Sequence, residues 1–170
     1  MAIREIITLP HPTLRRKAHK VKDFGPELQT LVDDMVDTMR VAPGVGLAAT
    51  QINYSLRVVV VEYGDEDDEE VPQKLYTLVN PEITRYSGET VVATEACLSV
   101  PGLAGEVERP EGITVKGFNR HGQPFKVKAD GWLARIFQHE IDHLDGVLFV
   151  DRATKVWKVE GDTTQVGPAD

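Results

Sequence analysis

The 170-residue chain has one cysteine, Cys97, and no apolar run near the ~18–20 residues needed to cross a bilayer. A single thiol forms no internal disulfide, so the fold does not rest on oxidation. The opening Met-Ala-Ile-Arg-Glu-Ile-Ile is too polar and too short for a signal-peptide core, which makes the cytosol, or the mature form of an organellar precursor, the expected compartment. Basic residues are also scarce: 19 Lys and Arg stand against 27 Asp and Glu, for a net charge of −8 and a pI near 5.1. That balance argues against a nucleic-acid platform, which needs a basic face, and no membrane partner is expected.

What remains is ordinary globular composition, 41% hydrophobic and 27% charged, at a length that suits one domain over residues 1–170. The acids at Asp65–Glu70 read as a solvated loop, and the polar stretch 160–170 as a frayed tail. After Gly25-Pro26, the residues Leu28, Leu31, Val32, Met35, Val36 and Met39 recur on one helix face, leaving Asp33, Asp34 and Asp37 off the stripe; the helix should end near Arg40. Leu56–Tyr63 reads as a buried strand, Leu75–Asn80 as a strand stopped by Pro81, and Gly88–Thr94 as a third. Ile113–Phe118 and Pro124–Val127 flank a turn at Asn119–Gly122. A second helix is expected over 131–144, with Gly146 as its stop. The fold class is α+β: antiparallel-rich sheets packed around a central helix, with an amphipathic helix near the N-terminus.

That central helix carries His139-Glu140-Ile141-Asp142-His143, the H-E-x-x-H form. Residues four apart on a helix differ by only ~40°, so both imidazoles can hold one metal ion. Glu140, ~100° from His139, can reach a water on that ion. Leu133, Phe137, Ile141 and Leu144 form a core stripe at roughly 120–200° from His139, whereas Trp132 and Ile136 share the histidine side at roughly 20° and 60°. An apolar pocket beside the metal follows, suited to an uncharged substrate side chain. Arg135, at roughly −40°, also lies near the site, either closing over the pocket or leaning outward to keep its charge in water. Asp142 reads as a group orienting a ligand, or as a solvated acid.

A catalytic site needs a third protein ligand and one open position. In the extended H-E-x-x-H-x-x-G-x-x-H peptidase pattern Gly146 matches, but Phe149 stands where the third histidine belongs, and phenylalanine binds no metal. Glu160, beside Gly161 in the weak tail, is a poor substitute. Cys97 is the natural upstream candidate, a thiolate that suits Fe²⁺ or Zn²⁺. A closed structural zinc site would need a fourth protein ligand, and only three candidates are found.

Cys97 lies in Glu95-Ala96-Cys97-Leu98-Ser99, downstream of Gly44-Val45-Gly46-Leu47-Ala48-Ala49-Thr50-Gln51. With Gln138–Asp142 leading into His143, these three ordered segments resemble the peptide deformylase signature, and the likeness extends over about residues 3–152. The resemblance implies Cys97, His139 and His143 as ligands of one Fe²⁺ per chain, replaceable by Zn²⁺, Ni²⁺ or Co²⁺. It implies Glu140 as general base and then acid toward a metal-bound water, with Gln51 and the Leu98 backbone N–H at the oxyanion. Val45, Gly46, Trp132 and Ile136 match positions near the substrate's methionine side chain, and Arg109 matches an arginine along the peptide groove. Ala96 stands where the family usually has glycine, against the substrate backbone. The implied reaction removes formyl from N-formyl-methionyl nascent peptides and releases formate. Some family members associate transiently with the ribosome through a longer basic C-terminal helix; here the tail after Asp151 is short and carries few basic residues.

Overall fold

The computed structural model describes residues 2–42, 44–64 and 73–159. The acidic run at Asp65–Glu70 and the tail at 160–170 lie outside the described residues. In chain order the elements are α1 (Pro26–Val41), β1 (Gly46–Ala48), β2 (Val58–Tyr63), β3 (Lys74–Tyr86), β4 (Thr90–Cys97), β5 (Val100–Pro110), β6 (Gly112–Phe118), β7 (Pro124–Asp130), α2 (Gly131–Leu144), α3 (Phe149–Arg152) and β8 (Lys155–Lys158). Short 3₁₀ turns cover Pro12–Arg15 and Ala49–Ile52. The strands form two wholly antiparallel sheets, one ordered β1-β2-β3-β6-β7 and one ordered β4-β5-β8.

Strand periodicity places the two long helices. In β2 successive side chains face opposite ways, and both faces are buried. Val58 and Val60 join the core made with Leu28, Val32, Met35 and Met39 of α1. Val59 and Val61 join the core made with Ile136, Phe137, Ile141 and Leu144 of α2. The five-stranded sheet is therefore covered by α1 on one face and α2 on the other. A third, smaller core packs Cys97, Val100 and Val107 of the small sheet against Leu148 and Phe149. No helix among the described residues is long and apolar enough to cross a membrane.

The C-terminus of α2 is closed by a Schellman arrangement. Gly146 N–H donates to the His143 carbonyl at 3.1 Å and Val147 N–H to the Asp142 carbonyl at 3.0 Å. Gly146 adopts φ +76°, and a Cβ there would fall 2.5 Å from the Arg15 carbonyl oxygen, so only glycine fits. Arg57 Nη1 and the Ala18 N–H both donate to the Leu144 carbonyl, which satisfies another end group. The helix that carries the chemistry is thus held at its last turn by the N-terminal segment.

Several elements depart from the sequence reading. Pro81 does not stop β3. Asn80 takes φ +51° and the pairing with β6 shifts register between Val79 and Glu82, so the proline's missing donor falls in an irregularity and the strand continues to Tyr86. Asp34, off the apolar stripe of α1, is nevertheless buried, because the N-terminal segment covers it: the Ala2 N–H donates to Oδ1 at 2.7 Å and Arg4 Nε to Oδ2 at 2.8 Å. Strands β1, β5 and β8 were not anticipated.

Candidate active site

The site forms where α2 lies between the tip of the small sheet and the edge strand of the large one. Cys97 ends β4, and Leu98-Ser99 turn into β5, so the thiol sits at the tip of a hairpin. His139 and His143 project from α2, one turn apart as the helix wheel requires. The three donor atoms lie within 4.8 Å of one another and all three residues are buried. Cys97 Sγ stands 3.4 Å from His143 Nε2.

Glu95, two residues before Cys97 on β4, organises this cluster. Its Oε1 meets His139 Nδ1 at 2.9 Å, which turns Nε2 of that ring inward, where it has no hydrogen-bond partner among the described residues. Arg109 grips the same carboxylate in a fork, Nε to Oε2 at 2.6 Å and Nη2 to Oε1 at 2.9 Å, and Arg135 Nη1 adds a bond to Oε2 at 2.5 Å. Burial works against the charge on Glu95, yet His139 and Arg109 hold it well below the usual carboxylate range. Burial also works against a positive His139, but Cys97 and Glu95 raise its pKa to about 10. His143 is pushed down by burial, with His139 and Arg109 adding to the effect.

Glu140 is fully buried, and neither carboxylate oxygen has a hydrogen-bond partner among the described residues. Burial raises its pKa to about 7. Gln51 is buried beside Cys97. Its Oε1 accepts the Ala48 N–H at 3.0 Å, and its Nε2 donates to Ser99 Oγ at 3.1 Å and faces Cys97 Sγ at 3.6 Å. The N-terminal segment pins both partners from outside, with the Ile7 N–H on the Gln51 carbonyl and the Leu9 N–H on the Ser99 carbonyl.

The donor set fits a first-row divalent metal ion: two imidazoles and a soft thiolate converge, and each imidazole has one buried nitrogen without a hydrogen-bond partner among the described residues. Among the described residues the cluster has three donors, which leaves a position for substrate or water, as a catalytic site requires and a closed structural site does not.

Other anticipated residues fall as follows. Val45 is half-buried against the main core, and Gly46 opens β1 directly against Glu140. Ala96 and Leu98 are half-buried on either side of Cys97, with Ala96 paired to Ala104. Trp132 lines a cavity of about 280 Å³ with Val91, Ala93, Pro110 and Arg135. Ile136 does not line that cavity; it is fully buried in the core with Ala48 and Val59, backing the site. Arg109 is buried too, because Glu95 and Asp142 occupy its guanidinium, so it faces no groove. Arg135 does not lean into water: Glu95 draws its guanidinium inside, and the side chain forms part of the wall of the cavity beside Trp132. Asp142 holds Arg109 on one side and Arg152 on the other, a link in the chain of ion pairs that ends at His139. The roles of Glu95 and Ser99 were missed, although Glu95 had a signal: residues two apart on a strand share a face.

A helix-borne H-E-x-x-H joined by a hairpin cysteine, inside an antiparallel α+β fold, defines a metal-dependent hydrolase. Residues 3–159 match the sequence profile of polypeptide deformylases, and the chain belongs to that family. It is 49% identical over 158 residues to the peptide deformylase of Desulforudis audaxviator, covering 93% of this chain and 98% of that one. To the Dehalococcoides mccartyi (strain CBDB1) peptide deformylase it is 44% identical over 170 residues, covering 100% and 95%. The crystal structure of a peptide deformylase from Legionella pneumophila superposes with a TM-score of 0.81 at 47% identity, covering 90% of this chain and 87% of that one.

Proposed function

We propose that this chain removes the formyl group from N-formyl-methionyl ends of new polypeptides in the cytosol, using one Fe²⁺ held by Cys97, His139 and His143. The observation that carries the reading is the fully buried Glu140 carboxylate, without a hydrogen-bond partner among the described residues, beside three converging donors. A buried polar group left unpaired calls for an explanation, and a general base waiting for its water is one.

When bound, the ion polarises the formyl carbonyl and makes a water acidic enough to serve as nucleophile near neutral pH. Glu140 takes a proton from the attacking water at its carboxylate. The water oxygen bonds to the formyl carbon, and Glu140 returns the proton to the amide nitrogen as the C–N bond breaks. Formate and a free methionyl amine leave. Gln51 Nε2, already aimed at the Cys97 side of the site, and the Leu98 backbone N–H stabilise the negative charge on the formyl oxygen. Strand β4 stands at the edge of the small sheet, where the substrate main chain can pair, and the cavity beside Trp132 takes the methionine side chain.

The test is formate release from formyl-Met-Ala-Ser by Ni²⁺-loaded protein, run beside Glu140→Ala. Release by the parent, reduced by at least about 100-fold in the variant with its metal retained, supports the reading. No release by the metal-loaded parent overturns it, and equal release by both removes Glu140 from the role of general base.

A further inference from the structure

Two of the three donors stand on α2 and the third on β4, so the site persists only while helix and hairpin keep their spacing. Arg135 spans that gap. It lies one turn before His139, and both side chains reach the same carboxylate, Arg135 at Glu95 Oε2 and His139 at Oε1. The guanidinium also donates to the Val107 carbonyl of β5 at 3.0 Å and to the Val91 carbonyl of β4 at 2.6 Å. Trp132 stacks near its face, 5.7 Å from ring centroid to guanidinium carbon. Arg135 is therefore tied to both strands of the hairpin that carries Cys97 at its tip. Arg109, the other arginine on Glu95, comes from β5 itself and reaches α2 only at Asp142, near the surface.

We propose that Arg135 is a positioning residue for the metal centre, setting the Cys97 thiolate against the two histidines. This rests on the reading that these three side chains hold one ion. Two effects oppose each other when Arg135 is removed. Losing a cation leaves Glu95 a stronger acceptor from His139 Nδ1, which makes that ring a better donor and favours metal retention. Losing the bonds that join α2 to β4 and β5 lets the thiolate drift from the histidines. Metal–ligand bonds are confined to about 2.0–2.3 Å, so drift of a few tenths of an ångström outweighs polarisation relayed through a carboxylate. Retention falls.

The experiment loads the parent, Arg135→Met and Arg135→Lys with Co²⁺. It records the ligand-field bands and the thiolate-to-cobalt charge-transfer band, then times Co²⁺ release to excess chelator, with circular dichroism and thermal melting of each protein alongside. Met keeps the bulk of the stem, and Lys restores the charge without the fork. The folded Met variant is expected to release Co²⁺ about 10–100-fold faster with a weakened or shifted charge-transfer band, and the Lys variant to fall between. Parental spectra and release in the Met variant with only a lowered melting temperature would make Arg135 a plain structural staple and overturn the proposal. Slower release overturns it too, because the electronic effect would then dominate. If the Met variant does not fold, the Lys variant decides: accelerated release supports the proposal and parental release sinks it. A parent that takes up no Co²⁺, or shows no thiolate band, refutes the underlying metal assignment instead.

Discussion

A Cβ built on Gly46 would fall 2.8 Å from Glu140 Oε2 and 2.9 Å from its Cγ, so β1 presses its backbone directly on the carboxylate proposed as general base. The glycine here serves close approach. Gly46→Ala must push the Glu140 side chain aside, and displacement of a catalytic group by about 1 Å costs on the order of 100-fold in rate. The expected outcome is a kcat lowered by about that factor with metal content unchanged, checked by formate release and metal analysis on the same preparation. Parental kcat would mean that Glu140 can move without penalty, which a base acting through a fixed position does not allow.

Glu95 receives two arginines and a histidine, and all four side chains are buried. Glu95→Gln preserves shape but removes the charge, leaving the buried Arg135 guanidinium without its carboxylate partner and Arg109 with Asp142 alone. Breaking a buried ion pair from one side costs on the order of 3–5 kcal/mol. Denaturant unfolding of the metal-free variant should show a loss of that size. The holoprotein should also lose metal faster, since the His139 ring is no longer held by a carboxylate.

The helices and the histidine pair of α2 were legible because a single periodicity governs them. The span of α2 agrees with its pattern, and His139, Glu140 and His143 are close in sequence, so wheel arithmetic alone brings them together. Cys97 came from a missing downstream ligand and from the order of motifs. What stayed hidden depends on contacts far apart in the chain. The long strand β5 is broken in sequence by Pro101, Gly102 and Gly105, and only its pairing with β4 and β8 makes it a strand. Arg109 and Arg135 looked like surface or groove residues because arginine is rarely buried unpaired. Their shared partner, Glu95, is 14 residues from one and 40 from the other. Ile136 obeyed the wheel in direction but was claimed by the core, since a helix packed between two sheets has little face left over.

Asp34 links acid stability to the N-terminal segment. Burial opposes its ionisation, but the Ala2 N–H and Arg4 outweigh it and lower its pKa. A carboxylate with a folded-state pKa below its unfolded value, about 3.9, stabilises the fold above that value and loses the contribution as pH falls through the folded pKa. Asp34→Asn should therefore melt several degrees below the parent at pH 7, with the gap closing as pH drops below about 4. A gap that stayed constant across this range would show that the charge on Asp34 contributes nothing to stability.

Oxidation should act on the metal centre before it acts on the fold. The only thiol in the chain is buried at the hairpin tip, so no disulfide can form within the chain and none is lost on reduction. With Fe²⁺ bound, dioxygen reaches either the metal, which it oxidises, or the thiolate, which climbs toward sulfenic and higher acids. Ni²⁺ at the same donors is not oxidised by air and keeps the thiolate occupied. Aerobic incubation should therefore abolish formate release by the iron-loaded protein while the nickel-loaded protein retains it, with both showing unchanged circular dichroism. Mass spectrometry of the inactivated iron protein divides the two routes. Added oxygen on Cys97 marks the thiol as the site of damage, whereas an unmodified thiol whose activity returns on anaerobic reloading with Fe²⁺ marks the metal. Equal survival of iron and nickel proteins in air would argue that the iron form is not redox-sensitive at this centre, and would favour zinc as the resident ion.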